Sequence, residues 1–442
     1  MISRLINTNE KNKQIFYNTI GSFLVKGAAL IISLYTMPAY IKYFDNQQIL
    51  GLWFTIVSVL SWILTFDLGI GNGLRNYLVP ALVNNDKVLI KKYISSAYVL
   101  IGAFVLFSIL FSFFVFRYIN WNKVFNISQG VVSKEVLSIT VIIVFSGIML
   151  QFLFKLVTSI LYAMQKSALN NFLNLLSSII TLVYVLLAKS SDISTNLISL
   201  AVVNVLAVNL PLVIVSIIVF TNNLKGCKPE IRYFETKIAN NIIKLGGMFF
   251  WVQIMYMAIT STNEFLITWL TGSEMVVEYQ IYNKLFTLIG TIFMLTLTPI
   301  WSAVTKASSE KDYLWIKKLY RLICLMALLG VVCEFSMIPF LQFVIDCWLG
   351  NHAIQVNYYY AIIFAISGSL FIWNGVLSSF ANGFGELKIQ SICFTIGAVS
   401  NIPLSILFVA LTKTWIGIII ANVIAMSSYC IIQPMWINKY LK

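Results

Sequence analysis

The chain has 442 residues, 59% of them hydrophobic and only 10% charged, with a mean hydropathy of +0.87. Soluble domains are nearer half apolar and a quarter charged, so this composition excludes a water-soluble globule and predicts a membrane protein. The net charge of +14 comes from cations in short loops between apolar runs, with no continuous basic patch; that argues against a nucleic-acid partner and for an inside-positive topology.

A bilayer core needs about twenty apolar residues per helix. Such runs cover approximately residues 18–41, 49–73, 93–116, 136–160, 169–188, 196–220, 242–270, 276–302, 318–342, 356–380, 388–411 and 414–436. They predict an all-α integral membrane protein with about twelve transmembrane helices. The charged start runs straight into the first span, with no signal-peptide cleavage pattern. An even count puts both termini on one side. Arg4, Lys11 and Lys13 precede span 1, and Arg75, Lys87, Lys91 and Lys92 separate spans 2 and 3. Lys166 follows span 4; Lys225, Lys228, Arg232 and Lys237 follow span 6; Lys306, Lys311 and Lys317 follow span 8. The alternate loops hold fewer cations, namely Lys42, Arg117, Lys123, Lys134, Lys189 and Lys413. Both termini are therefore expected in the cytoplasm.

The longest polar stretch, 221–241, falls mid-chain. It predicts a six-helix lobe over 1–220, a cytoplasmic inter-lobe loop over 221–241 and a second six-helix lobe over 242–442. The cysteines show no Cys-x-x-Cys spacing, and neither a disulfide framework nor a metal site is suggested. No nucleophile–histidine pair or Gly-rich phosphate loop appears, so a catalytic site is not expected.

Ionisable side chains in hydrocarbon cost a few kcal/mol each and should face a cavity, a partner or water. The first half has Lys26 in span 1, Asp67 in span 2 and Lys155 in span 4; the second has Glu264, Lys284 and Glu334 in spans 7, 8 and 9. Gln151, Lys155, Thr158 and Tyr162 recur at helical spacing and form one polar face. Gln253, Tyr256, Thr260 and Glu264, with Asn263 alongside, form another, and Gln280, Lys284, Thr287 and Thr291 a third. A charge in the middle of each face favours a water-lined cavity. Span 5 offers Asn170, Asn174, Ser177 and Thr181 without a charge, a pattern typical of hydrogen bonding between helices. Glu264 and Lys284 fall in the outer third, where they could pair. Glu334 is expected to pack or snorkel. An anionic headgroup rising from the cytoplasm would meet Lys26, Lys155 and Arg75, then Lys284.

The stretch Phe66-Asp67-Leu68-Gly69-Ile70-Gly71-Asn72-Gly73-Leu74-Arg75-Asn76 sets an acid and a base around three alternating glycines. Glycines so spaced let the backbone bend, or pack closely on a neighbour, at a helix end; the plainest reading then leaves Arg75 at the lipid headgroups. Together with Gly51-Leu52-Trp53-Phe54-Thr55 and Lys91-Lys92-Tyr93, this stretch resembles the first third of Wzx-type O-antigen and capsule-repeat flippases. Those belong to the superfamily of multidrug, oligosaccharidyl-lipid and polysaccharide exporters. The resemblance implies two lobes working by alternating access in the bacterial cytoplasmic (inner) membrane. It implies transport of undecaprenyl-pyrophosphate-linked oligosaccharide repeat units from the inner to the outer leaflet, among membrane lipids and alongside polysaccharide polymerase machinery, and no enzymatic activity. The expected translocation path is Lys26, Asp67, Arg75, Lys155 and Lys284, with Glu264 and Asn263 as pairing or coupling residues. No cofactor is implied; coupling to an H+ or Na+ gradient is left open. The buried charges are balanced in sign, which departs from a strongly cationic lumen. A drug/cation antiporter of the same fold is the first alternative, and a membrane O-antigen polymerase the second.

Overall fold

The computed structural model describes residues 10–65, 69–125, 127–188, 192–272, 275–349 and 354–441. All regular structure among them is helical. The first unit contains α1 (Glu10–Phe44), α2 (Gln47–Thr65), α3 (Ile70–Val83), α4 (Lys87–Val115), α5 (Lys134–Ala163), α6 (Ser167–Leu187) and α7 (Ile193–Ile218). Then come α8 (Thr236–Thr260), α9 (Asn263–Thr271), α10 (Met275–Ser309), α11 (Tyr313–Met337), α12 (Leu341–Leu349), α13 (Tyr358–Phe384), α14 (Lys388–Thr412) and α15 (Ile416–Tyr440). Contacts divide the chain into Met1–Gly247 and Met248–Lys442, with the division inside α8.

Short polar residues set where the helices begin. Asp86, Ser133, Asp192, Asp312 and Asn357 each accept a backbone N–H from the first turn of α4, α5, α7, α11 and α13 respectively. Each cap satisfies a donor that the helix itself leaves unpaired. Ten helices among the described residues are long and apolar enough to cross a membrane. The first two expected spans fall on α1 and on α2 with α3, whose side chains are described only in part.

Three expected spans differ in detail. Span 2 is two helices, with Gly69 between them in the left-handed region at φ 65°. Arg75, expected at the headgroups beyond the helix end, lies inside α3 and is only 3% exposed. Span 7 breaks at Ser261–Thr262, where α8 gives way to α9. Span 9 ends at Met337, and the separate α12 follows it.

In the first unit, α5 packs against α3, α4 and α7. The approach of α7 is close because Gly147 has no side chain: a Cβ there would lie 2.2 Å from the Val205 side chain. Asn209 Nδ2 on α7 also donates to Gly147 O at 3.1 Å, the small-residue crossing and interhelical amide bond typical of membrane helices. A second crossing joins the start of α3 to α8. A Cβ on Gly69 would lie 1.8 Å from Gly246 O, and one on Gly73 2.7 Å from Ile242 O. The two uses foreseen for these glycines are both present, the bend at Gly69 and the close approach at Gly73.

The mid-chain loop is strapped onto the first three turns of α4. Lys91 Nζ meets Glu230 Oε1 at 2.7 Å and lies 4.2 Å above the Tyr233 ring. Glu230 N donates to Ser95 Oγ at 3.1 Å, and Glu235 N to Ser96 Oγ at 3.2 Å. Lys92 pairs with Glu235 at 2.8 Å. Two lysines that mark a basic loop in the sequence are thus each matched by an acid of the later loop.

In the second unit, α13 packs against α10, α11 and α15, and α14 lies along α15. Its aromatic core gathers Tyr279, Tyr282, Phe364 and Trp415, with Tyr282 and Phe364 stacked at 5.5 Å.

Candidate functional site

A cavity lies in each unit. The first, about 380 Å³, lies among α1, α2, α6 and α7. Thr36, Tyr40, Ser177, Ser178, Thr181 and Asn204 supply its polar lining, and Phe54 an aromatic wall, set edge-on to Tyr40 at 5.6 Å. Thr36, Ser177 and Thr181 donate to carbonyls of their own helices. Their oxygens remain acceptors, and among the described residues the lining holds no carboxylate and no ammonium. Ser177 and Thr181, which in the sequence read as glue between helices, line this cavity instead. The distinction depends on which face of α6 meets α1, which periodicity along one helix does not contain.

The second cavity, about 240 Å³, lies where α8 breaks into α9. Thr260 and Asn263 flank the break and both line it, opposite Asn283 and Thr287 of α10. Irregular backbone at membrane depth is tolerated where it is buried in protein or borders a cavity. Here side-chain amides hold it. Asn422 Nδ2 of α15 donates to Asn263 Oδ1 at 2.7 Å, and Asn263 Nδ2 donates to the Tyr279 hydroxyl at 3.2 Å. This chain of bonds holds the broken span at its break, and Asn263 was the visible half of it. Asn422 lies far along the sequence and carried no signal.

The expected path residues do not converge on one cavity. Lys26 is exposed on α1, one turn before Ala29 of the first cavity. Lys155 is half-buried on α5, and Lys284 is exposed on α10. Asp67 lies outside the described residues. Glu264 is exposed and accepts a hydrogen bond from Gln280 Nε2. Arg75 has the most developed surroundings. Its guanidinium lies 4.8 Å from the centre of the Tyr162 ring, and the Tyr162 hydroxyl accepts from Asn170 Nδ2 at 2.6 Å. A desolvated cation over an aromatic face is held by the ring quadrupole, at about 2 kcal/mol. Arg75, Tyr162 and Asn170 join α3, α5 and α6, and link three features that stood apart in the sequence.

No family model matches the chain. It is 23% identical over 354 residues, 76% of each chain, to a Yersinia pseudotuberculosis protein provisionally named an O-antigen export protein. Its fold is that of the MATE transporters. The crystal structure of a MATE protein in the bent conformation matches with a TM-score of 0.73 at 14% identity, covering 98% of this chain and 96% of that one. An outward-facing multidrug-resistance MATE transporter of the MOP superfamily matches at 0.69 and 15% identity, over 99% and 97%. The Vibrio cholerae MATE transporter VcmN in its bent form matches at 0.66 and 12% identity, over 97% and 98%. The chain is therefore a multi-pass membrane protein, and in a bacterium its place is the cytoplasmic membrane.

Proposed function

We propose that this protein is a transporter that carries undecaprenyl-pyrophosphate-linked oligosaccharide repeat units from the inner to the outer leaflet, for O-antigen or capsule synthesis. The observation that carries the reading is the chemistry of the first cavity. Hydroxyls, an amide and aromatic walls without a carboxylate suit a neutral sugar, which offers many hydroxyls and an apolar ring face. A cationic drug would instead call for an acid in that lining. The likeness to a protein named for O-antigen export supports the same substrate class.

In this reading Lys26, Lys155, Lys284 and Arg75 serve the pyrophosphate, in stages. Lys26 stands exposed one turn from the cavity and offers a flexible point charge. Arg75, buried against Tyr162, is reached only when α3 and α5 part. Glu264 and Asn263, beside the helix break, are the proposed pairing or coupling residues. The lipid tail stays in the bilayer, and the delivered repeat units feed polymerisation outside.

A leaflet assay on a strain lacking the protein tests this. Lipid-linked repeat units should accumulate facing the cytoplasm, and the wild-type protein should restore their outward appearance. Replacing Lys26, Lys155 or Lys284 by Ala should impair that restoration at normal protein level. Outward repeat units that stay unpolymerised would point to a polymerase. Unchanged polysaccharide with altered drug resistance would favour the antiporter, the reading to which the MATE fold itself is closest.

A further inference from the structure

Glu334 is 0% exposed, on a helix that otherwise turns Leu325, Leu328, Leu329 and Val332 outward. Neither of its carboxyl oxygens has a hydrogen-bond partner among the described residues. Of the packing or snorkelling expected for it, the side chain packs, turned inward onto α13. There it fills the notch left by Gly368: a Cβ on that glycine would lie 2.8 Å from Oε1. Gly368 also lines the second cavity. A single glycine thus separates an isolated acid from a polar space bordered by Thr287, Ser367 and Asn263.

Packing alone does not account for an acid at this position. An ionised carboxylate buried without a partner costs several kcal/mol, and a leucine or glutamine would fill the same space without that cost. Among the described residues, the helices packed against α11 supply no counter-charge in contact with it. On α10, Glu278 accepts from Trp415 Nε1, Tyr279 is bonded to Asn263, and Tyr282 receives Asn357 N. Lys284 of α10 is exposed. On α13, Tyr360 packs edge-on against Trp415. On α11 itself, Cys333 is exposed, Cys324 lies nearly three turns away and Tyr320 nearly four.

We propose that Glu334 is a proton-binding site of the second unit. It holds a proton in the state described here and exchanges it with the cavity past Gly368 when α11 and α13 shift. The bond made and broken is the carboxyl O–H, with water in the cavity as the acceptor. Coupling of transport to a proton gradient through this site rests on the function proposed above; proton binding itself does not.

Infrared difference spectroscopy on the full chain in lipid, between mildly acidic and alkaline media, tests the site without any substrate. The wild type should show the carbonyl stretch of a protonated carboxylic acid, shifted in heavy water and lost on the alkaline side. Glu334→Gln should remove that band, Glu334→Asp should move it, and Gly368→Ala should move it because the new methyl displaces the carboxyl. A wild-type spectrum without the band overturns the proposal. So does a band unchanged in Glu334→Gln, or one indifferent to the medium. The infrared result stands whether or not vesicles carrying the protein move a pyrophosphate-linked oligosaccharide. If they do, Glu334→Gln should lose the dependence of that movement on an imposed pH gradient.

Discussion

Lys91 and Glu230 are separated by 139 residues in the chain and by 2.7 Å in space. Their side chains are 11% and 21% exposed, whereas the neighbouring Lys92 and Glu235 are 39% and 38% exposed. Exposed pairs gain little because water screens them and long side chains lose freedom. The first pair therefore fastens the mid-chain loop to α4, and the second adds little.

The Glu230 carboxyl is held below its ordinary value of 4.5 mainly by the Lys91 hydrogen bond, with Arg232 assisting and burial opposing. A depressed carboxyl stabilises the fold above its unfolded value and loses that contribution as pH falls through the folded one. Protection of the amides at 227–235 from hydrogen exchange should hold at neutral pH and fall away below about pH 4.5. Lys91→Ala should lower neutral-pH protection on the order of tenfold or more, whereas Lys92→Ala should leave it nearly unchanged. Equal effects of the two variants would refute this ranking.

Gly69 and Gly246 pack backbone to backbone. Gly69→Ala places a methyl on a carbonyl and forces a left-handed residue to carry a side chain; together these should cost about 3 kcal/mol or more. Gly51→Ala, on α2 with nothing within 4 Å of the added carbon, should be neutral or gain up to about 1 kcal/mol. Thermal unfolding in detergent measures both.

The stack of Arg75 on Tyr162 separates ring from hydroxyl. Tyr162→Phe keeps the face under the guanidinium and loses only the bond from Asn170, about 1 kcal/mol. Tyr162→Leu should cost about 2 kcal/mol more, through the lost cation–aromatic contact. Arg75→Lys should not rescue, because an ammonium lacks the planar fork that lies on the ring. Two tyrosine variants of equal stability would exclude the stacking role.

At the break between α8 and α9, Asn422→Leu strips Asn263 Oδ1 of its donor in a buried site. A stranded buried polar group costs about 1–3 kcal/mol. The change should appear as lower thermal stability and as faster hydrogen exchange at 260–264, while exchange in α4 stays as it was.

Hydropathy alone located most of the helices. The run at 136–160 is the core of α5, Lys134–Ala163, and that at 388–411 is α14, Lys388–Thr412. The ends overrun the apolar runs because polar caps such as Ser133 and Asp192 lie just outside them. What one helix at a time does not encode is the face that meets a neighbour. Arg75 read as a headgroup residue because nothing local announces Tyr162, which is brought to it by the packing of α5. The break after Thr260 escaped notice because its cause, Asn422, comes from the last helix. The intramembrane charges were visible from the start; which of them is sealed in, as Glu334 is, depended on the glycine opposite.

The strap also decides where this chain can be divided. Residues 224–235 carry the polarity of a simple tether, yet their bonds run back to α4, and the first twelve residues of α8 belong to the first unit with them. A fragment ending at residue 220 would leave Lys91 without its acid and Gly69 without its backbone neighbour. A first piece that stops at the end of α7 should therefore fail to hold its fold, whereas one that carries the strap and the whole of α8 should keep it.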